Sequence, residues 1–358
     1  MYFEITPKAR REDLFGMDYL VDSLESYLTD ENVRMIIIKG LRRTGKTSLL
    51  NVILNEIKQK KVKIDVREAP FYDKKEFLFY VVEKIKEAIG ETLLQKILKH
   101  IRSIELSYNK IGTTFYLKDE RTLYTFFEKL DRELKKKNIE LILAFDEAQL
   151  LNKIKFNYIL ANIYDNYTNI KIILTGSEIG LLDTFLGKKD AKSPLFGRAV
   201  IEIETKRLNN EQIAQFLTQG FSEIRKKITI NEIKEVIENF DGIIGWATYY
   251  GWLRSKNIPH TQAILNVSEE GEKLVKDELD KFLANRRRTN YLRVLRWIGS
   301  GNNRWSILKN KFSKIGVKIS DRQLNLYLKE LVNYSFVEKL EENYFITDPL
   351  LVRVVSHS

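Results

Sequence analysis

The chain has 358 residues, room for two or three domains, and its 44% hydrophobic content fills ordinary cores without any apolar run near the ~18 residues a membrane helix needs. It holds no cysteine, which excludes disulfides and thiolate metal sites, and its three histidines, His100, His260 and His357, are too scattered for a zinc cluster. The formal net charge of +11 is uneven: residues 286–358 carry 14 Lys/Arg against 6 Asp/Glu, which points to a polyanionic partner for the C-terminal segment.

In chain order, the opening Met1-Tyr2-Phe3-Glu4-Ile5 is too short and too charged for a secretory signal, so a cytoplasmic protein with no membrane partner is expected. The β-branched run Val33–Lys39 reads as a buried strand and flows into Gly40-Leu41-Arg42-Arg43-Thr44-Gly45-Lys46-Thr47-Ser48, the G-x-x-x-x-G-K-[ST] phosphate loop called Walker A. Gly40 and Gly45 permit backbone angles that turn successive N–H groups toward phosphate oxygens. Lys46 is placed for the β- and γ-phosphates and Thr47 for Mg2+, with the following helix N-terminus favouring the anion. All nine loop residues are candidate ATP/ADP-binding positions.

Val62–Val66 reads as the next strand, followed by a long insert, Asp73–Lys137, whose apolar spacing is mostly helical. The strand Ile139–Phe145 ends in Asp146-Glu147-Ala148-Gln149, a Walker B pattern in which Asp146 would hold Mg2+ and Glu147 would act on the attacking water. Ile170–Leu174 then ends in Thr175-Gly176-Ser177-Glu178, where Thr175 or Ser177 would sense the γ-phosphate; Ser177 is equally suited to cap the next helix. Arg198 precedes the strand Ala199–Ile203 and reads from spacing as either a γ-phosphate finger or a surface ion-pair residue. Alternating strands and helices predict an α/β parallel sheet with its ligand at the carboxyl ends of the strands.

From Asn209 to about Arg288 the pattern is helical in short pieces, with Asn caps expected at the segments opening on Asn210 and Asn231. Helices over Tyr291–Ile298, Trp305–Phe312 and Ser320–Val332, the last opened by the capping box Ser320-Asp321-Arg322-Gln323, precede a two-stranded ribbon within Phe336–Ile346. Three helices and a hairpin describe a winged helix-turn-helix. Its third helix would offer Arg322, Asn325, Lys329 and Asn333 to a major groove, with Arg286, Arg287 and Arg288 near phosphates. The acidic Asp321, Glu330 and Glu341-Glu342 suit a protein contact instead.

With these pieces in order, the chain resembles the archaeal P-loop ATPases of the STAND and AAA+ superfamilies from about Asp13 onward. Asp13-Leu14-Phe15-Gly16-Met17-Asp18 is similar to that family's box packing by adenine, with Met17 where an arginine is usual, which adds Phe15 and Gly16 to the nucleotide-binding candidates. Asp146-Glu147-Ala148-Gln149 resembles its Walker B, Thr175-Gly176-Ser177 its sensor strand, and Ser193-Pro194-Leu195-Phe196-Gly197-Arg198 its Pro-Leu-x-Gly-Arg segment, which implies a catalytic Arg198. Asp241–Thr248 is similar to its Gly-x-Pro-Gly-Trp lid motif, with Ile244 replacing the proline. The resemblance implies a P-loop NTPase sheet (residues 1–207), a helical lid (208–285) and a C-terminal winged helix-turn-helix (286–358).

The expected function is a Mg2+-dependent ATP-hydrolysing switch, with Glu147, Lys46, Arg198 and Ser177 as its catalytic set and DNA or a protein engaged by the winged helix. The alternatives are a DNA-binding regulator whose nucleotide is structural, and a protein-interaction scaffold.

Overall fold

The computed structural model describes residues 1–70, 73–99, 101, 104–109, 112–117 and 120–357. The first part of the chain runs α1 (Asp18–Thr29), β1 (Met35–Gly40), α2 (Lys46–Glu56), β2 (Lys60–Asp65), α3 (Lys74–Ile89), α4 (Glu91–Leu98), β3 (Ile104–Asn109) and β4 (Gly112–Leu117). It continues through α5 (Glu120–Lys136), β5 (Leu141–Asp146), α6 (Asn157–Asn166), β6 (Ile170–Gly176), α7 (Ile179–Leu186) and β7 (Ile201–Thr205).

Five of these strands form one parallel sheet in the order β2-β5-β6-β1-β7. Side chains alternate between faces along a strand, so a sheet covered on both sides needs apolar residues at every position. The strand β1 shows this: Met35 and Ile37 pack into a core with the α3–α7 layer, whereas Ile36 and Ile38 pack into the opposite core with α1 and α2. The strand bearing Thr175 lies between β1 and β5, which carries the acidic pair. Because all five strands run in one direction, their carboxyl ends share a single edge.

The insert departs from the expectation of a helical segment. The helices α3, α4 and α5 are present, but β3 and β4 pair as an antiparallel hairpin, Ile104 opposite Leu117 and Asn109 opposite Gly112. The segment has two short β-favouring runs, including Tyr108 and Thr113-Thr114-Phe115-Tyr116, and six-residue runs are too brief for periodicity to separate strand from helix.

Beyond the sheet come α8 (Asn210–Glu223), α9 (Ile230–Phe240), α10 (Ile244–Ser255), α11 (His260–Leu283), α12 (Arg288–Gly299), α13 (Trp305–Lys314), α14 (Asp321–Asn333), β8 (Val337–Leu340), β9 (Asn343–Ile346) and α15 (Pro349–Ser356). Capping boxes open three of the helices, made by Asn209 with Gln212, Thr229 with Glu232, and Ser320 with Gln323. The caps are thus Asn209 for α8, in place of the expected Asn210, and Thr229 for α9, in place of Asn231. The helix α15 has no counterpart in the sequence reading, because Val352, Val354 and Val355 weaken its helical signal; Asp348 caps it and burial of Leu350, Leu351, Val354 and Val355 holds it.

A single core runs from α8 through α15 and takes in Phe3 and Phe15 from the start of the chain. Phe282 at the end of α11 makes edge or tilted contacts with Tyr291, Tyr334 and Phe336, so the helices α8–α11 and the C-terminal segment are packed as one body. Phe3 lies against Gly220 and Gly251, where an added Cβ would come within 2.3 and 2.2 Å of its ring. Phe3→Ala empties that seat and is expected to cost about 3–5 kcal/mol, read as a lowered midpoint in denaturant unfolding. Among the described residues no helix is long and apolar enough to cross a membrane.

Candidate nucleotide site

The loop between β1 and α2 places the first group of functional side chains. Gly45 has φ +94°, and an added Cβ would lie 2.9 Å from Cε of Met17, so glycine is needed for both backbone and space. The buried Thr44 donates to the Leu41 carbonyl (2.8 Å) and its Oγ1 lies 2.7 Å from Oγ1 of Thr205 on the neighbouring strand, which stiffens the inner wall of the loop. Lys46 is 5% exposed and its Nζ donates to the Leu41 carbonyl at 2.5 Å. Burial pulls its ammonium down to about 8, against the opposing pull of Glu147 and Asp146.

The adjoining strand tips supply the acids. Asp146, fully buried, accepts from Thr47 Oγ1 at 3.0 Å through one carboxylate oxygen and from Thr175 Oγ1 through the other. Thr175 Oγ1 in turn accepts from the Glu147 backbone N–H at 3.2 Å, so β6 fixes the turn carrying both acids. Glu147 sits in the left-handed region (φ 59°, ψ 46°). Its Oε2 accepts from Gln149 Nε2 (2.6 Å), Ser177 Oγ (2.9 Å) and Ser177 N (3.3 Å). Burial alone would raise this carboxyl; the Lys46 charge and these donors outweigh burial and hold it below its ordinary value, ionised at neutral pH.

These groups open on a cavity of about 720 Å³. At one end are Lys46, Thr47, Ser48 and Glu147; at the other Tyr2, Phe15 and Phe216 meet edge to face or tilted, with ring centroids 5.4–5.8 Å apart. A polar end and an aromatic end suit a nucleotide's phosphates and base. Phe15 lines the cavity, whereas its neighbour Gly16 supplies only the turn, at φ +68°. Gly40, Leu41 and Thr44 stand behind the cavity wall formed by Arg42, Arg43, Gly45 and Lys46.

Arg42 and Arg43, at the loop tip, reach away from the sheet. Arg42 donates to Glu178 Oε1 (2.7 Å) and to the Tyr334 carbonyl beyond α14 (3.0 Å), and pairs with Glu278 of α11 (3.4 Å). Arg43 donates to Glu278 (2.9 Å) and lies over the Trp246 ring (4.4 Å), while its carbonyl accepts from Gly245 N (3.0 Å). Trp246, within the Asp241–Thr248 motif, is buried and packs against this arginine.

Other expected positions fall elsewhere. Ser177 does not cap α7, since Glu178 occupies that place without a side-chain cap; the hydroxyl is committed to Glu147. Arg198, expected in the catalytic set, is held by Asp165 (2.9 and 2.5 Å) and by the Pro194 carbonyl at the amino end of β7. That is the sheet edge opposite the phosphate loop, so Arg198 does not belong to its own chain's site. Arg286, expected near phosphates, instead donates to Glu330 (2.8 Å) and packs over Phe282 (4.2 Å), an internal fastening. Asn333 lies against Gly180 of α7, where an added Cβ would meet its Oδ1 at 2.4 Å, so that end of α14 faces the sheet domain. Arg287, Arg288, Arg322, Asn325 and Lys329 are exposed; Arg288 pairs with Asp280 (2.6 Å) and Asn325 accepts from Trp305 Nε1 (2.8 Å).

Residues 20–246 match the model of an ATPase domain predominantly from Archaea. The chain belongs to this archaeal ATPase family. It is similar over 99% of its length to the whole of the Walker-type ATPase PABY2304 of Pyrococcus abyssi, at 32% identity and a TM-score of 0.78. The ORC2 protein of Aeropyrum pernix, solved in ADPNP and ADP complexes, matches 99% of this chain and 96% of its own at 14% identity and a TM-score of 0.59, a likeness of fold. No curated protein sequence matches the chain. Membership of the family implies that the chain binds nucleotide.

Among the described residues no group of three or more His, Cys, Asp and Glu side chains forms a metal cage. His100 lies outside the described residues, and His260 is bound to Tyr250 (2.8 Å) and Glu235 (2.9 Å). Thr47 and Asp146 instead offer a hydroxyl and a carboxylate side by side, a donor set that suits Mg2+ shared with nucleotide phosphates.

Proposed function

We propose that the chain is an ATP-hydrolysing switch in which residues 1–207 bind and cleave ATP, residues 208–285 form the lid, and residues 286–358 form a winged helix-turn-helix that engages duplex DNA. The observation carrying this reading is the double attachment of the phosphate-loop tip: Arg42 and Arg43 bind both the lid, through Glu278 and Trp246, and the C-terminal segment, through the Tyr334 carbonyl. A nucleotide that moves the loop must therefore move both.

In the reaction, Glu147 accepts a proton from water as the water oxygen bonds to the γ-phosphorus and the bond to the ADP oxygen breaks. Ser177 and Gln149 hold the Glu147 carboxylate, Lys46 stabilises charge on the phosphates, and Thr47 and Asp146 would hold Mg2+, which would supply further positive charge there. Thr175 holds the Asp146 side chain and the Glu147 backbone.

With Asn333 against α7, DNA would meet the exposed first two turns of α14, where Arg322 and Asn325 lie, the exposed Lys329 one turn farther on, and the lysines of α13. The decisive experiment is steady-state ATP hydrolysis at elevated temperature with and without duplex DNA. Turnover that changes with DNA, a response lost in Arg322→Ala/Lys329→Ala, and duplex affinity whose logarithm falls linearly with log salt are expected. Turnover and salt dependence indifferent to DNA would reassign the C-terminal segment to a protein partner.

A further inference from the structure

The cations lining the nucleotide cavity are Lys8, Arg42, Arg43, Lys46 and Arg67. Most are committed. Lys8 Nζ donates to the carbonyls of Met1 (2.8 Å) and Glu4 (2.7 Å), and Arg42 and Arg43 are bound to Glu178, Glu278 and the Tyr334 carbonyl. Lys46 stands in the loop's own phosphate position, and Arg198 is on the opposite edge of the sheet. The charge of a triphosphate exceeds what Lys46 and a Mg2+ held by Thr47 and Asp146 would offset together, and the helices α8–α11 add no cation of their own to the cavity wall.

Arg67 stands two residues beyond the carboxyl end of β2, which pairs with β5 in a register that sets Asp65 opposite Asp146. Adjacent strands lie ~4.8 Å apart, so Arg67 emerges on the same sheet edge as Asp146 and Glu147, on the flank away from β1. Its orientation is fixed. Nε and Nη2 donate to the two Asp65 oxygens at 2.9 and 2.6 Å, and the Arg67 backbone N–H adds a third bond to Asp65 at 3.0 Å. That fork leaves Nη1 outside the Asp65 pair, on a guanidinium that lines the cavity beside Lys46, Thr47 and Glu147. The charges of Glu147 and Asp146 act on Arg67, and Arg67 acts on Lys46, which places all four in one electrostatic cluster.

We propose that Arg67 is a γ-phosphate-binding residue acting within its own chain, and that Asp65 positions it for that contact. The proposal rests on the ATP-site reading above and supplies what Arg198 does not: a cation on the γ-phosphate side of the site, able to oppose the charge that develops in the transition state. It also gives the site a way to tell ATP from ADP, because an arginine reaching only the γ-phosphate contributes to triphosphate binding alone.

The test compares Arg67→Ala, Arg67→Lys and the wild type for affinity to ADP and to the non-hydrolysable β,γ-imido analogue of ATP, alongside kcat and KM. Arg67→Ala should bind ADP within about twofold of wild type while losing roughly tenfold to a hundredfold in analogue affinity, the size of one charge-assisted hydrogen bond. Arg67→Lys should recover part of it, and kcat should fall more than KM rises. Asp65→Asn, which keeps Arg67 but loosens its fork, should show the same ADP-to-analogue asymmetry in smaller measure and serves if Arg67→Ala does not fold. Equal weakening of both ligands, or none, would overturn the proposal and leave Arg67 as the surface partner of Asp65. A wild type that binds both nucleotides but never hydrolyses refutes the switch while leaving this comparison readable; a wild type that binds neither refutes both.

Discussion

Glu147→Gln should hold ATP and fail to cleave it, with turnover reduced roughly 10²- to 10⁴-fold and affinity little changed. The substitution keeps the side chain's shape and one carbonyl oxygen, so the donors from Gln149 at 2.6 Å and Ser177 at 2.9 Å retain an acceptor. It removes the only property hydrolysis needs from this position, a carboxylate ionised at neutral pH that can take a proton from water. The ionised state follows from the surroundings: burial would push the carboxyl up, and Lys46 with the two neighbouring donors outweighs it. Single-turnover assays with labelled ATP, paired with a binding titration, separate the two effects. Wild-type turnover in the glutamine variant would remove Glu147 from the mechanism.

Lys46→Ala should act on binding. Two charge-assisted contacts to phosphates, at about 1.5–3 kcal/mol each, give an expected loss of about 100-fold or more in nucleotide affinity. The same lysine sets a pH dependence whose sign can be worked out. In the free protein its ammonium titrates at about 8, lowered from 10.5 by burial, and phosphate binding favours the charged form. Affinity should therefore be full below pH 8 and fall as pH rises through that value, since binding must then recruit a proton. Folding responds oppositely. An ammonium whose folded value lies below its unfolded one costs stability at neutral pH, and that cost fades between about pH 8 and 10.5. Titrations with fluorescent ADP across about pH 7 to 9.5 should show the decline, and a flat profile would place the phosphates away from Lys46.

The three inner strands were legible because strands buried on both faces spell out unbroken apolar runs, the edge strands β2 and β7 because they alternate apolar and polar residues, and the phosphate loop because its glycine spacing is tied to one backbone path. The hairpin β3–β4 was not, since each run is too short to carry a period, and α15 was hidden by its valines. The site shows the same division. Positions with a fixed offset from a strand end, such as Asp146 and Glu147, could be named in advance. Arg67 could not: Asp65-Val66-Arg67 reads as any polar turn until the register sets Asp65 beside Asp146. Arg198 shows the converse, a residue with the right local spacing that the parallel sheet delivers to the wrong edge. Ser177 divided between two meanings that only tertiary contact could separate.

The fastening of Arg42 and Arg43 to α11 and the C-terminal segment works in both directions. A partner that draws α14 away from α7 also withdraws the Tyr334 carbonyl from Arg42, and the shared core carries α11, with Glu278, along with it. Thermodynamic reciprocity then requires that whatever the nucleotide does to partner affinity, the partner does in equal measure to nucleotide affinity. A partner at the far end of the chain would in that sense be an effector of the nucleotide, changing the affinity for ADP without touching the site that holds it.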